Sequence, residues 1–392
     1  MDTQALYDLS PALRLMGMGL VLAAGPLAWV WLRNRQAGSS RRLQALTLLT
    51  LFLTFDLVLF GSFTRLTDSG LGCPDWPGCY GKASPMGAHA EISAAQQAMP
   101  TGPVTHGKAW VEMIHRYLAT GVGVLILVLA ISTWAEHLRQ RRSSASIVAV
   151  PSPWWATLTL VWVCVQGAFG ALTVTMKLFP AIVTLHLLGG LLLLALLALQ
   201  AVRYAQLHSP SATRPLPARL YTLMKIGLGL LTLQIALGGW VSTNYAVLAC
   251  TEFPTCQGSW WPEMNFAQGF ELWRELGLTA AGEHVSFAAL TAIHYAHRLA
   301  AYLVIAVLVL LAWRLHALPA WRGPARWLAG LLLLQFLTGL SNVVLDWPLL
   351  AAVLHTGGAA ALVVLLTWGL AGSKTHRAVV RTASAPVPSS AA

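Results

Sequence analysis

The chain has 392 residues, of which 56% are hydrophobic and only 10% are charged. Soluble globular domains carry about 25% charged residues, so the composition excludes an ordinary soluble protein and indicates one embedded in a lipid bilayer. The formal net charge of +11 is compatible with nucleic-acid binding. However, the basic residues concentrate in short segments between apolar runs, which is the pattern of a membrane protein, and we expect no nucleic-acid partner.

Nine apolar stretches are long enough to cross a membrane, because a spanning helix needs about 20 apolar residues. They lie at roughly 12–32, 43–63, 109–133, 154–176, 181–203, 220–243, 286–313, 325–345 and 349–372. Asp2 and Asp8 precede the first basic residue, Arg14. The first stretch is therefore predicted to be a spanning helix rather than a cleaved signal peptide.

The basic residues predict the orientation of the chain. Arg33, Arg35, Arg41 and Arg42 follow the first apolar stretch, which places that loop in the cytoplasm and the N-terminus outside. Alternation of the spans assigns four further segments to the cytoplasmic side, and each of them is basic. The C-terminus is therefore predicted to be cytoplasmic.

Two parts of the chain repeat one another. The segment Cys73-Pro-Asp-Trp-Pro-Gly-Cys79-Tyr-Gly81 recurs 177 residues later as Cys250-Thr-Glu-Phe-Pro-Thr-Cys256-Gln-Gly258. The pair His115-Arg116 recurs 182 residues later as His297-Arg298. At a common offset of 169, the residues Gln166, Gly170 and His186 recur as Gln335, Gly339 and His355. Because both copies have the same in–out orientation, they are parallel repeats about an axis along the membrane normal.

The repeat predicts the architecture. Residues 1–42 form an extra N-terminal transmembrane helix and its cytoplasmic loop, 43–205 an N-terminal four-helix bundle, and 206–372 a C-terminal four-helix bundle. The tail, 373–392, is rich in Ser, Ala and Pro and is predicted to be disordered. The fold class is thus an all-α polytopic membrane protein of two pseudo-symmetric four-helix transmembrane bundles plus one extra helix.

Each predicted bundle carries two histidines inside its apolar stretches, His115 and His186 in the first and His297 and His355 in the second. Ionisable residues in a span are costly and normally face the bundle interior. Facing imidazoles there can bind a haem iron from both sides. Another metal or a proton relay is the alternative. Arg116 and Arg298 follow two of these positions and are candidates for binding haem propionates.

Glu112 breaks the repeat. It precedes His115 by one helical turn, whereas its counterpart in the second bundle is His294. A carboxylate beside one haem could accept protons or stabilise a cationic intermediate, and the alternative is a structural carboxylate bonded to a neighbouring helix. His294 is also an alternative ligand to His297.

The two cysteine pairs, Cys73–Cys79 and Cys250–Cys256, open the two long loops predicted outside the membrane. Paired cysteines in external loops indicate an oxidising compartment and disulfides. Each pair closes a small loop, which in the chain-entropy model stabilises the fold by about 2 kcal/mol. Two functions stay open, a structural clip or a redox-active dithiol.

These residues, taken as a set, resemble the haem A synthase family. The resemblance rests on the segment Gly70-Leu-Gly-Cys-Pro-Asp-Trp-Pro-Gly-Cys-Tyr-Gly81, on Glu112, His115-Arg116 and His186, and on Cys250, Cys256, His297-Arg298 and His355. It covers about 43–372, so that the first helix lies outside the eight-helix pattern.

The resemblance implies an enzyme of the bacterial inner membrane that oxidises the C8 methyl of haem O to a formyl group, giving haem A for cytochrome oxidase. It implies that His115, His186 and Glu112 hold the substrate haem O, with Glu112 catalytic. It implies that His297 and His355 bind a permanent haem b that transfers electrons. The implied partners are haem O synthase and cytochrome oxidase assembly factors, and a homo-oligomer is possible.

Two other functions fit the same residues. One is a two-haem membrane electron carrier or quinol-linked thiol oxidoreductase, in which the cysteine pairs are the working groups. The other is a non-enzymatic protein that handles haem during assembly. The pigment bound to the purified protein distinguishes the three.

Overall fold

The computed structural model describes residues 10–142, 151–209 and 212–374. Nine helices within these residues are long and apolar enough to cross a membrane. In chain order the helices are α1 Ser10–Arg33, α2 Ser39–Leu66, α3 His89–Ala98, α4 His106–Arg142, α5 Pro153–Thr175, α6 Pro180–His208, α7 Ala218–Thr243, α8 Phe266–Gly269, α9 Phe287–His316, α10 Arg322–Val344 and α11 Leu349–Gly372. All but α3 and α8 are spanning helices, and the predicted all-α polytopic membrane protein is confirmed. Almost all of the tail predicted to be disordered lies outside the described residues.

The helix α4 is longer than its apolar stretch predicts. It continues past residue 133 to Arg142 with polar side chains that a hydrophobicity criterion excludes from a span. Glu136 and Arg139 form an ion pair of 3.0 Å one turn apart, which supports a helix outside the hydrocarbon. The prediction ended the helix too early because it used hydrophobicity alone, whereas ion pairs between polar side chains stabilise the last turns of α4.

Two tight turns join α5 to α6 and α10 to α11. Lys177 and Leu178 adopt φ of 50° and 59°, and their counterparts Asp346 and Trp347 adopt φ of 52° and 61°. Non-glycine residues rarely take this left-handed conformation, so its occurrence at both turns shows that the repeat extends to the backbone.

The two histidine-bearing helices of each bundle stand at diagonal corners. In the N-terminal bundle, α4 and α6 each pack against α2 and α5. In the C-terminal bundle, α9 and α11 each pack against α7 and α10. Side chains from α4 and α6, or from α9 and α11, therefore meet across the centre of their bundle rather than at a shared helix edge.

The bundles contact each other about a pseudo-two-fold axis. The helix α6 packs against α11, while α2 packs against α11 and α7 packs against α6. At one end of the interface the Tyr245 hydroxyl donates to Asp68 at 2.7 Å. These two residues are related by the offset of 177, and contact between equivalent residues is expected on a symmetry axis.

The extra helix, α1, lies along α4. Gly19 of α1 contacts Thr120 of α4, and a Cβ at this glycine would lie only 2.5 Å from Thr120 Cγ2. In the same contact, Gly121 of α4 faces Leu22 of α1. Small residues allow this close helix approach. The extra helix thus covers α4, the helix that carries Glu112 and His115.

Segments 67–105 and 244–286 connect spanning helices at the same end of the molecule, which we call the cysteine side. Cys73 and Cys79 form a disulfide, as do Cys250 and Cys256. All four cysteines are fully buried, so each disulfide lies inside its loop and not at its surface. The two predicted disulfides are confirmed.

Candidate functional site

His115 and His186 lie on α4 and α6, the two diagonal helices of the N-terminal bundle. The His115 ring stacks on Phe60 of α2 with centroids 6.3 Å apart. It also lies against Gly61, where a Cβ would be 3.0 Å from His115 Nε2. His186 lies against Gly170 of α5, with a corresponding distance of 3.6 Å to its Cε1.

The C-terminal bundle repeats this arrangement. His297 and His355 lie on α9 and α11, the two diagonal helices of this bundle. A Cβ on Gly238 of α7 would lie 2.9 Å from His297 Cε1, and one on Gly339 of α10 would lie 3.1 Å from His355 Cε1. Each of the four imidazoles is therefore packed on the bare backbone of a glycine from the preceding spanning helix.

The four glycines are themselves repeat-related. Gly61 and Gly238 are separated by the offset of 177, and Gly170 and Gly339 by the offset of 169. Such glycines let a helix approach a flat ring without a side chain between them. His186 Nδ1 is buried and has no hydrogen-bond partner among the described residues, so this imidazole keeps an unsatisfied polar atom inside the bundle. These features fit a haem held by two histidines in each bundle.

Glu112 lies at the junction between α4 and the first cysteine loop. Its side chain is buried, with Oε2 accepting the backbone N–H of Cys73 at 2.8 Å. Its Oε1 accepts from Arg116 Nη2 at 2.5 Å, one turn along the same helix. Two donors on the two oxygens match an ionised carboxylate, and they connect the candidate catalytic residue directly to the disulfide loop.

The counterpart His294 also contacts its loop. It is buried, and its Nδ1 lies 3.0 Å from the backbone oxygen of Ala246. A histidine that donates to a loop carbonyl through Nδ1 is oriented toward the loop. Between the two candidate ligands of α9, this arrangement favours His297, which faces His355.

The two arginines contact the cysteine loops rather than solvent. Arg116 Nη1 donates to the carbonyls of Asp75 at 3.0 Å and Gly78 at 2.5 Å. Arg298 Nη1 donates to the carbonyl of Thr255 at 2.9 Å, the counterpart of Gly78. Each arginine therefore fixes its disulfide loop over the bundle. Their role in propionate binding stays a prediction, and a propionate there has to share a guanidinium with these carbonyls.

Burial affects two ionisable groups in the loops on the cysteine side. Burial raises the pKa of the Tyr80 phenol, with a further contribution from Asp75 and Glu91, so this side chain is neutral at physiological pH. Burial lowers the pKa of Arg274, and Glu271 partly offsets the shift. Arg274 Nη2 donates to Asn244 Oδ1 at 2.5 Å, which ties the second loop to the end of α7.

The sequence motifs did not identify several residues at these sites. Gly61 and Gly238 share the offset of 177 and were detectable from the repeat itself. Thr338 and Gln234, which hydrogen-bond the histidines of the C-terminal bundle, have no such signal because the first bundle has other residues in their place. Asp56 is an exposed carboxylate inside the span α2. It belongs to none of the sequence motifs, and neither histidine pair accounts for a carboxylate at this position.

The fold and the sites define a polytopic membrane protein with one histidine pair across the centre of each of two four-helix bundles. Residues 44–367 match the model of a family described as cytochrome oxidase assembly protein. The chain therefore belongs to this family, COX15-CtaA.

Curated relatives agree with that assignment. The Heme A synthase of Shewanella oneidensis is 40% identical over 325 residues, which are 81% of this chain and 92% of the relative. The Heme A synthase of Cereibacter sphaeroides is 30% identical, over 85% of this chain and 88% of the relative. That of Halalkalibacterium halodurans is 24% identical, over 76% of this chain and 86% of the relative.

Proposed function

We propose that this protein is a haem A synthase, which oxidises the C8 methyl of haem O to the formyl group of haem A. The observation that carries the proposal is the pair of matched histidine sites, of which, among the described residues, only the N-terminal one has a buried carboxylate beside it. Membership of the cytochrome oxidase assembly family and the names of the relatives support it.

The balance of the reaction explains why two unequal sites are useful. With water as the formal source of the oxygen atom, R–CH3 + H2O gives R–CHO with release of four protons and four electrons. Catalysis therefore needs a proton acceptor at the substrate and a route for electrons away from it. The N-terminal bundle supplies an ionisable carboxylate, and the C-terminal bundle supplies a second histidine pair.

In the N-terminal bundle, His115 and His186 would bind the iron of the substrate haem O. Phe60 and the backbone at Gly61 support the His115 ring. Glu112, one turn from His115, would accept a proton released during oxidation. Its hydrogen bond from Cys73 N–H holds the carboxylate at the base of the loop on the cysteine side.

In the C-terminal bundle, His297 and His355 would hold a permanent haem b. When bound, this group accepts and passes on electrons one at a time. The protein orients its ligands from diagonal helices and excludes water with the buried core between α7, α9 and α11, which includes Leu231 and Leu308. The interface of α6 with α11 places the two sites in adjoining bundles.

We further propose that the protein resides in the bacterial inner membrane with its N-terminus and the cysteine side outside and its C-terminus in the cytoplasm. The distribution of Lys and Arg supports this orientation. An oxidising exterior is also the compartment in which two buried disulfides persist. Haem O synthase and cytochrome oxidase assembly factors are the proposed partners, with homo-oligomerisation as a further possibility.

Pigment extraction from the purified protein tests the proposal. The wild type is expected to contain haem b together with haem O or haem A. His115→Ala is expected to lose haem O and haem A while retaining haem b. Haem b as the only pigment of both proteins would instead identify a two-haem electron carrier, and a protein without haem would contradict both functions.

A further inference from the structure

The two bundles hold their histidines differently. In the C-terminal bundle Thr338 Oγ1 lies 3.0 Å from His355 Nδ1 and 2.7 Å from the carbonyl oxygen of Leu334. A hydroxyl has one proton, and this one is donated to the carbonyl, so Thr338 accepts the hydrogen bond from Nδ1–H of the imidazole. The proton on Nδ1 leaves Nε2 of His355 free to bind a metal.

Two glutamines add further contacts in the same bundle. Gln335 Nε2 donates to the backbone oxygen of His355 at 2.8 Å. Gln234 Nε2 donates to the backbone oxygen of His297 at 3.1 Å and also lies 3.0 Å from Nδ1 and 3.4 Å from Nε2 of the same ring. Each histidine of this bundle is therefore tied to the helix that precedes it by polar contacts as well as by packing.

The described residues of the N-terminal bundle make no such contacts. The counterpart of Thr338 is Phe169, at the offset of 169 that relates α5 to α10, and the counterpart of Gln234 is Leu57, at the offset of 177 that relates α2 to α7. Gln166 is a glutamine like its counterpart, yet both of its amide atoms are buried without a hydrogen-bond partner in the described part of the chain. His186 Nδ1 is likewise without a partner there.

The contrast has a physical consequence for ligand exchange. A hydrogen bond to the non-ligating nitrogen of a metal-binding histidine fixes its tautomer and ring orientation and increases its basicity. Losing such a partner typically lowers metal affinity about 10- to 100-fold. A permanent cofactor benefits from ligands held in this way, whereas a haem that enters as substrate and leaves as product requires ligands that release it.

We propose that Thr338 is a positioning residue that holds His355 as a ligand of a permanent haem in the C-terminal bundle, with Gln335 and Gln234 fixing the backbone of His355 and His297. In the N-terminal bundle Phe169 leaves His186 without this hydrogen bond and free to exchange haem. The assignment rests on the proposed function for the identity of the exchanging haem. The hydrogen-bond contrast itself does not depend on it.

The first experiment removes the Thr338 hydroxyl with a substitution that keeps the size and shape of the side chain. Thr338→Val is expected to transfer haem b to excess apomyoglobin about tenfold faster than the wild type. The midpoint potential of the C-terminal haem is expected to rise, because a less basic imidazole stabilises the ferric iron less. Thr338→Ser is expected to restore both values. Thr232→Val is the matched control, since Thr232 makes the same bond to the carbonyl four residues earlier on an exposed face of α7.

The second experiment gives the N-terminal bundle the missing hydroxyl. Phe169→Thr is expected to slow transfer of haem O and haem A to apomyoglobin about tenfold and to raise the amount of these haems in the purified protein. Loss of all haem O and haem A from this variant would indicate that Phe169 supports haem by packing, and would contradict its proposed role.

The outcomes separate this inference from the proposed function. A Thr338→Val protein with wild-type haem b release and wild-type potential would overturn the positioning role while leaving the function intact. A wild-type protein that contains haem b but no exchangeable haem O or haem A would overturn the proposed function. The Thr338→Val measurement would then still decide how haem b is held.

Discussion

Adding one methyl group at the glycines behind the histidines is expected to disable one bundle at a time. In Gly238→Ala the new Cβ would lie 2.9 Å from His297 Cε1, and in Gly61→Ala it would lie 3.0 Å from His115 Nε2. Ordinary carbon contacts are about 3.5–4.0 Å, so each ring has to move by roughly half an ångström or more. The ring is the movable partner, because the glycine belongs to a packed helix.

The expected size of the effect follows from overpacking. Forcing an extra methyl group into a packed site costs about 1–3 kcal/mol, which corresponds to about 5- to 150-fold in affinity. Replacing glycine by alanine inside a helix stabilises the helix by up to about 1 kcal/mol, so the free energy of unfolding of the whole protein should change little. The cost is therefore expected to fall on the position of the imidazole and, through it, on haem binding.

The assay compares haem content with thermal stability in detergent. Gly238→Ala is expected to lose haem b, and Gly61→Ala is expected to keep haem b while losing haem O and haem A. Gly229→Ala in α7 and Gly167→Ala in α5 are matched controls, since a Cβ at either position meets no described atom within 4 Å. Equal haem content in Gly238→Ala and Gly229→Ala would refute the role of the glycine backbone as a support for the imidazole.

Four further predictions concern the sites and the topology. His297→Ala and His355→Ala are each expected to abolish the low-spin b-type spectrum, and an unchanged spectrum in both would remove them as ligands. Glu112→Gln is expected to keep haem b and accumulate haem O or a partly oxidised alcohol, with turnover reduced about 10²–10⁴-fold, whereas a normal yield of haem A from cells making only this variant would end its catalytic role. Replacing both Cys73 and Cys79 by serine is expected to destabilise the first loop by about 2 kcal/mol. Because Cys73 N–H is bonded to Glu112, the double variant is also expected to lose more turnover than haem content. Equal losses of turnover and haem content would mean that the disulfide is a purely structural clip. Reporter fusions should place the two termini on opposite sides of the membrane, and a result with both on one side would contradict an odd number of spans.

The membrane class, the spans and the internal repeat were all predictable from the order of the amino acids. Apolar run length is a direct consequence of bilayer thickness, so each predicted span reappears as a helix within a few residues, except where α4 continues beyond the hydrocarbon. The histidine pairs also followed from sequence. A histidine inside an apolar stretch is expected to face the bundle interior, where it can find a polar partner or a ligand. Because the segment is repeated, the histidines of the two bundles are expected at equivalent depths.

Which side chains contact each other depends on how the helices pack and could not be predicted from their order. That α4 and α6 are diagonal, as are α9 and α11, depends on helix order around each bundle, which run length and hydrophobicity do not encode. The partners of Glu112 illustrate the same limit, because its bond to Cys73 N–H joins residues far apart in the chain. The extra helix acquires a role only in three dimensions, where Gly19 and Gly121 let it cover α4.

The difference between the two bundles shows the physical reason most clearly. Alignment of the two repeats pairs Thr338 with Phe169 but does not show that this difference matters. An alignment gives the position of a residue and not the direction in which its side chain points. The structure directs the Thr338 hydroxyl at His355 Nδ1 and leaves His186 Nδ1 without a partner among the described residues. Hydrogen bonds depend on ångström distances and angles between helices, and packing of the complete bundle sets those distances.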